Sequence, residues 1–221
     1  MKAKMKRTLL ISIFFLLAFA IWTVLIQTVD VRPVGVNSTD IGFAYLNIWF
    51  HSFTGVDFML YNITDWLGLV PLAVCMVFGI WGFIQLIKRK SLFKVDADII
   101  ILGVYYVIVI LCYLVFEMIP INYRPVLING LMEASYPSST TLLVLSVMPT
   151  LIFQLKNRMK NIKLQRIVTV ITLLFCVFMV VGRLISGVHW LSDIIGSVLL
   201  SAGLFYVYKS ACLLRRMKYG V

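Results

Sequence analysis

The chain has 221 residues and a mass of 25.2 kDa, with 62% hydrophobic and 13% charged residues. A water-soluble fold of this length buries roughly 70–75% of the surface its unfolded chain exposes, too little to hide that apolar excess, so a soluble enzyme, a disulfide-stapled secreted domain and a disordered tail are excluded. Twenty Lys and Arg against nine Asp and Glu give a net charge of +11, but the bases lie in short runs between apolar stretches, the pattern of membrane topology rather than of a nucleic-acid partner.

Crossing roughly 30 Å of hydrocarbon takes about 20 apolar residues. Six such runs predict spans near 8–29, 66–87, 97–116, 138–155, 167–186 and 189–208. The first follows Lys2, Lys4, Lys6 and Arg7, yet it is too long for a signal peptide and no small-x-small cleavage site follows it, so it reads as a retained helix. The expected fold is all-α and polytopic, a single membrane domain over 1–221 with no internal repeat or long linker. Residues 30–65 are expected to form an outward interfacial segment, because they mix Trp49, Phe50, Phe53, Phe58 and Tyr61 with His51, Asp57 and Asp65. Asn37-Ser38-Thr39 and Asn62-Ile63-Thr64 fit the glycosylation pattern, which carries meaning only in a eukaryote.

Four bases precede the first span, four lie at Lys88, Arg89, Lys90 and Lys94, five run from Lys156 to Arg166, and four from Lys209 to Lys218. The other side holds only Arg32, Arg124 and Arg183. The positive-inside rule then predicts a multi-pass cell-membrane protein with both termini cytoplasmic, and with 30–65, 117–137 and the turn near 186–189 facing outward. Cys75, Cys112, Cys176 and Cys212 lie inside predicted spans or at their inner edges, without paired spacing, and read as buried small hydrophobes.

Ionisable residues in or beside apolar helices are costly and mark candidate sites. Glu117, Arg124, Glu133, Arg183, His189 and Asp193 all fall near the predicted outer surface. His189 and Asp193 are four residues apart at the start of the last span, a spacing that predicts a shared helical face on which the carboxylate orients the imidazole. Arg183 ends the preceding span, and Ser186-Gly187 makes a tight turn that returns it toward His189. A guanidinium is the natural bidentate partner of a phosphate.

The run Arg183, five residues, His189, three residues, Asp193 resembles the third signature of the type 2 phosphatidic acid phosphatase superfamily, the lipid phosphate phosphatases. Arg124-Pro125 is similar to the end of the first signature, and Pro137-Ser138 to the start of the second. The resemblance covers roughly 97–208, the expected catalytic core. It implies that His189 attacks phosphorus to give a phosphohistidine, that Asp193 orients it, and that Arg124, Arg183, Ser138 and Ser139 hold the phosphate. The two serines would stand at a helix N-terminus, where backbone N–H groups favour an anion. Vanadium haloperoxidases are more distant relatives and soluble, unlike this chain.

Two positions depart from the pattern: Glu117 stands where the family has Lys, and Thr140 where it has the His that protonates the leaving group. Three readings follow. The substrate is a lipid diphosphate whose phosphate leaving group needs little protonation; or Glu117, its pKa raised beside a bound phosphate, supplies the proton, with His51 a weaker candidate; or hydrolysis is lost and the protein binds or transfers a phosphorylated lipid, with Glu117 bridging Arg124 or Arg183. The expected function is hydrolysis of a lipid phosphate or polyprenyl diphosphate at the outer leaflet through a phosphohistidine, with a catalytically altered or inactive protein that binds or transfers phosphorylated lipid as the alternative. The expected partners are that substrate and the surrounding lipid. No cofactor and no metal site are expected, since carboxylates are few and the two histidines lack ligand spacing. A transporter is the rival class, but no inverted repeat supports it.

Overall fold

In the computed structural model, which describes residues 2–219, eight α-helices follow in order: α1 (Lys2–Thr28), α2 (Ala44–Thr54), α3 (Phe58–Leu67), α4 (Leu69–Arg89), α5 (Ala97–Met118), α6 (Ser139–Arg158), α7 (Ile162–Ile185) and α8 (Leu191–Tyr219). Among the described residues there is no strand, only isolated bridges such as Tyr123 to Ala134. Six helical stretches are long and apolar enough to cross a membrane. The chain is an all-helical, multi-pass membrane protein.

The predicted spans differ from the helices most in the second and in the last, which runs on to Tyr219 instead of ending near 208. Helix α3 runs into α4 through Gly68, whose backbone is itself helical, so one 32-residue stretch covers Phe58–Arg89 instead of 66–87. Polar residues in α3 obscured this in the apolar count: Asp57 caps the helix by accepting the Leu60 N–H at 2.9 Å, and Thr64 donates back to the Leu60 carbonyl. The last span begins at Leu191, two residues after His189.

Helix α8 is the spine of the bundle. Along one side lies α1, where Ser12 Oγ donates to the Gly203 carbonyl (3.0 Å) and Trp22 Nε1 to the Ser192 carbonyl (3.0 Å). Against α8 also pack α6 and α5, enclosing a core that includes Leu102, Tyr105, Leu142, Val147 and Tyr208. Both tyrosine hydroxyls are hydrogen-bonded, as burial in hydrocarbon favours: Tyr105 donates to the Ser146 carbonyl and Gln154 Nε2 to the Tyr208 hydroxyl. Outward faces carry Leu10, Phe14, Leu17, Leu111, Leu174 and Val177, all more than half exposed and suited to lipid.

At one end of the bundle the connection from α4 to α5 is clasped by ion pairs. Asp96 receives Arg89 (2.8 Å) and Arg158 (3.2 Å), and Asp98 receives Arg158 (2.8 Å). Burial opposes ionisation of Asp96, but hydrogen bonds from Arg89, Arg158 and Gln85 outweigh it and hold the carboxyl below its usual range. The opposite end gathers the residues singled out above.

Candidate active site

The loop 119–138 folds back on itself: Arg124 N–H donates to the Glu133 carbonyl and Ser135 N–H to the Asn122 carbonyl. This hairpin-like course carries Asn122, Arg124, Glu133 and Ser135 to the starts of α6 and α8. A second loop, 186–190, is fixed from the other side. The Ser186 carbonyl accepts Asp57 N–H, the Gly187 carbonyl contacts His51 Nε2 (3.0 Å), and Trp190 Nε1 donates to the Tyr123 carbonyl (2.8 Å). Gly187 has φ of 67°, and a Cβ there would lie 1.8 Å from the Gly55 carbonyl oxygen, so only glycine fits.

Asp193 is the third residue of α8. Its Oδ2 accepts the Trp190 N–H (2.9 Å), closing the helix N-terminus in the manner of a capping box. The same oxygen accepts Ser135 Oγ at 2.5 Å, and Oδ1 accepts Asn122 Nδ2 at 3.2 Å. His189 precedes the helix, so the expected shared helical face does not exist. Ser135 stands between the two instead, with its Oγ 3.0 Å from His189 Nδ1. Since the single hydroxyl proton goes to Asp193, His189 Nδ1–H is the donor to Ser135, by assignment from the network. That leaves Nε2 with its lone pair, 3.4 Å from Arg183 Nη2. Burial, reinforced by the positive charges of Arg124 and Arg183, pushes His189 well below its usual 6.5 and keeps the ring neutral.

Arg183 is 1% exposed and Arg124 7%. Both guanidiniums lie over the Tyr61 ring, at 4.8 Å and 5.7 Å from its centre. Arg124 pairs with Glu133 (3.1 Å) and Arg183 with Asp65 (3.5 Å). Three of their buried N–H groups, at Arg124 Nε and Nη1 and at Arg183 Nε, have no acceptor among the described residues. Two buried cations with open donors beside an imidazole lone pair have the chemistry that suits a compact anion.

The remaining candidates are placed less simply. Ser138 is fully buried, with its hydroxyl donating to Thr141 Oγ1 (3.1 Å) and its carbonyl accepting Ser197 Oγ (2.9 Å); it holds the start of α6. The first helical bond there is Leu142 N–H to Ser138 O, so the N–H groups of Ser139, Thr140 and Thr141 precede it at the positive end of the helix. Ser139 and Thr140 line, with Asp65, the mouth of a 380 Å³ cavity that continues along Leu69, Ile110 and Leu143 between α4, α5 and α6. Glu117 is exposed and lines a smaller neighbouring cleft with Pro137 and Ser139. The expected bridge from Glu117 to Arg124 or Arg183 is therefore replaced by Glu133 and Asp65. His51 is occupied by the Gly187 carbonyl and the Trp190 ring, 5.6 Å away.

The model of the PAP2 superfamily matches residues 104–216. The chain belongs to this superfamily. The PAP2 fold extends further: a crystal structure described as the first transmembrane PAP2-type phosphatidylglycerolphosphate phosphatase from Bacillus subtilis superposes with a TM-score of 0.67 over 92% of this chain and 96% of that one, at 17% identity. No curated protein sequence matches. Within the PAP2 core, sequence reasoning missed Asn122 and Ser135, and outside it Tyr61 and Asp65. Asp65 stood in the sequence among aromatic residues and read as part of an interfacial segment; nothing in its neighbourhood signalled an Arg 118 positions later.

Proposed function

We propose that this PAP2 protein hydrolyses a lipid phosphate or polyprenyl diphosphate through a phosphohistidine, with its site at the outer leaflet. The observation that carries the reading is the pair of buried guanidiniums with unpaired donors flanking the lone pair of His189 Nε2. Arg124 and Arg183 bind the phosphate oxygens, assisted by the Ser139 and Thr140 N–H groups at the start of α6. Nε2 then displaces the leaving oxygen from phosphorus. As positive charge develops on the ring, Nδ1–H strengthens its bond to Ser135, which passes the effect to Asp193 without itself changing protonation state. Water later attacks the phosphohistidine, the P–N bond breaks with its electron pair returning to Nε2, and phosphate departs. The apolar cavity between α4, α5 and α6 suits a lipid chain whose phosphate lies at the Asp65, Ser139 and Thr140 mouth.

The leaving oxygen needs a proton when it is an alkoxide. Thr140 supplies none near neutral pH, and Glu117 lies in the adjoining cleft. Asp65 shares the cavity mouth with Thr140 and contacts Arg183. A phosphate bound by Arg183 lies beside the Asp65 carboxyl, which is placed to exchange a proton with the leaving oxygen. Asp65 is accordingly the proton donor in the first step, and as carboxylate it takes a proton from the attacking water in the second.

The test is phosphate release by the purified protein in detergent with EDTA, from a polyprenyl diphosphate, phosphatidic acid and phosphatidylglycerol phosphate. Release is expected to fall by more than about 10³-fold in His189→Ala. Release that survives this substitution overturns the phosphohistidine, and release from no substrate turns the reading to a phosphorylated-lipid binder.

A further inference from the structure

At the end of the bundle remote from His189, four cations from three helices line one cavity of 430 Å³: Lys4 of α1, Lys156 of α6, and Lys209 and Arg216 of α8. Its apolar wall includes Phe153 and Phe205, and Arg216 lies over the Phe153 ring at 5.8 Å. We propose that this cavity binds an anionic phospholipid of the leaflet opposite the active site, its phosphate held by the four cations and its chain laid against the aromatic wall.

The charge inventory leads to this assignment. Of the nine acidic side chains, only Asp96 and Asp98 belong to this end of the helices, and both are already paired with Arg89 and Arg158. Among the described residues, none of the four cavity cations is paired with a carboxylate. All four instead line the same cavity, where like charges repel one another.

Two simpler accounts of the basic residues fall short. Topology requires only that bases be numerous on one side, and mutual repulsion would spread them apart rather than gather them around one cavity. Helix dipoles favour cations in a last turn, which covers Lys156 and Arg216. They disfavour Lys4 in the first turn of α1 and leave Lys209, well inside α8, without support. A bound anion removes the repulsion of all four at once. The apolar wall then selects a lipid over a free anion, since inorganic phosphate gains nothing from Phe153 and Phe205. From Asp193 to Arg216 is 23 residues of continuous helix, about 35 Å at 1.5 Å per residue, so the two sites lie a bilayer apart on α8.

The measurement is lipid retention by native mass spectrometry, with the melting temperature followed in parallel, after exposing the purified full chain to phosphatidylglycerol, phosphatidylcholine or inorganic phosphate. The wild type is expected to retain phosphatidylglycerol at least ten-fold more than phosphatidylcholine and to show no response to inorganic phosphate. K156Q/K209Q is expected to lose that preference, whereas K160Q/K163Q, with the same charge change at the α6–α7 connection and the first turn of α7, keeps it within two-fold. Equal loss in both variants means attraction to surface charge alone and overturns the site. So does retention of phosphatidylcholine to the same extent, a matching response to inorganic phosphate, or no retention by the wild type. Melting in neutral detergent without lipid separates lost binding from lost folding: if K156Q/K209Q is unfolded there, K209Q alone is read by the same criteria. The readout is binding of a phosphodiester, so it stands apart from whether the His189 site hydrolyses phosphate.

Discussion

Neutral His189 and ionised Arg183 sit 3.4 Å apart because their roles differ: one offers a lone pair, the other only donors. An ordinary imidazole is half protonated at about 6.5; His189, buried between two cations, titrates well below that. The lone pair that the proposed phosphohistidine mechanism requires therefore persists as pH falls through the range where a free histidine would lose it. Proton donation is a separate matter, and Asp65 is expected to carry it. Asp65→Asn is predicted to slow phosphatidic acid cleavage by about 10²–10⁴-fold, the usual worth of a general acid. Polyprenyl diphosphate cleavage should change less than ten-fold, because a phosphate leaves without protonation. Adding Thr140→His to that variant should recover at least ten-fold of the monoester rate, since an imidazole then faces the same cavity. Equal loss on both substrates would instead assign Asp65 to positioning Arg183.

At the scale of elements, the geometry of the candidate site depends on how α8 begins. Asp193 closes the helix N-terminus and anchors Ser135, while Asn47 of α2 accepts Ser192 N–H (3.1 Å) and donates to its hydroxyl (2.9 Å). The Ser186–Trp190 loop can approach the segment after α2 only because Gly187 lacks a side chain and takes positive φ. Gly187→Ala is predicted to destabilise the protein by roughly 3 kcal/mol, combining backbone strain with a clash against the Gly55 carbonyl. Thermal unfolding in detergent measures this, and a melting temperature within 1–2 °C of wild type, about the shift expected for less than 1 kcal/mol, would show that the loop relaxes. Helix α2, part of the 30–65 segment expected to be interfacial, braces the start of α8, while its Trp49 and Phe53 are exposed.

For the whole molecule, six crossings place both ends of the described chain at the basic end, with the candidate site at the other. The charge bias predicts that the basic end is cytoplasmic. In a background without the four native cysteines, Asp40→Cys is expected to react with an impermeant maleimide in intact cells, and Lys160→Cys only after lysis. The reverse labelling would place the site on the cytoplasmic side and exclude an outer-leaflet substrate.

What the sequence determined by itself was whatever depends on local length and local spacing. Spans are legible because a helix rises 1.5 Å per residue and hydrocarbon admits few polar groups, and Arg183, His189 and Asp193 are legible because they lie within eleven residues. The extra turns of α3 were hidden because Asp57, Asn62, Thr64 and Asp65 dilute the apolar run that α4 continues. Only the tertiary structure decided that Ser135, 58 positions from Asp193, stands hydrogen-bonded between it and His189, that Asp65 and Glu133 are the partners of the two arginines, and that Glu117 lies exposed apart from both guanidiniums. Those contacts join helices and loops distant in the chain, and no local periodicity records which side chains two packed helices bring together.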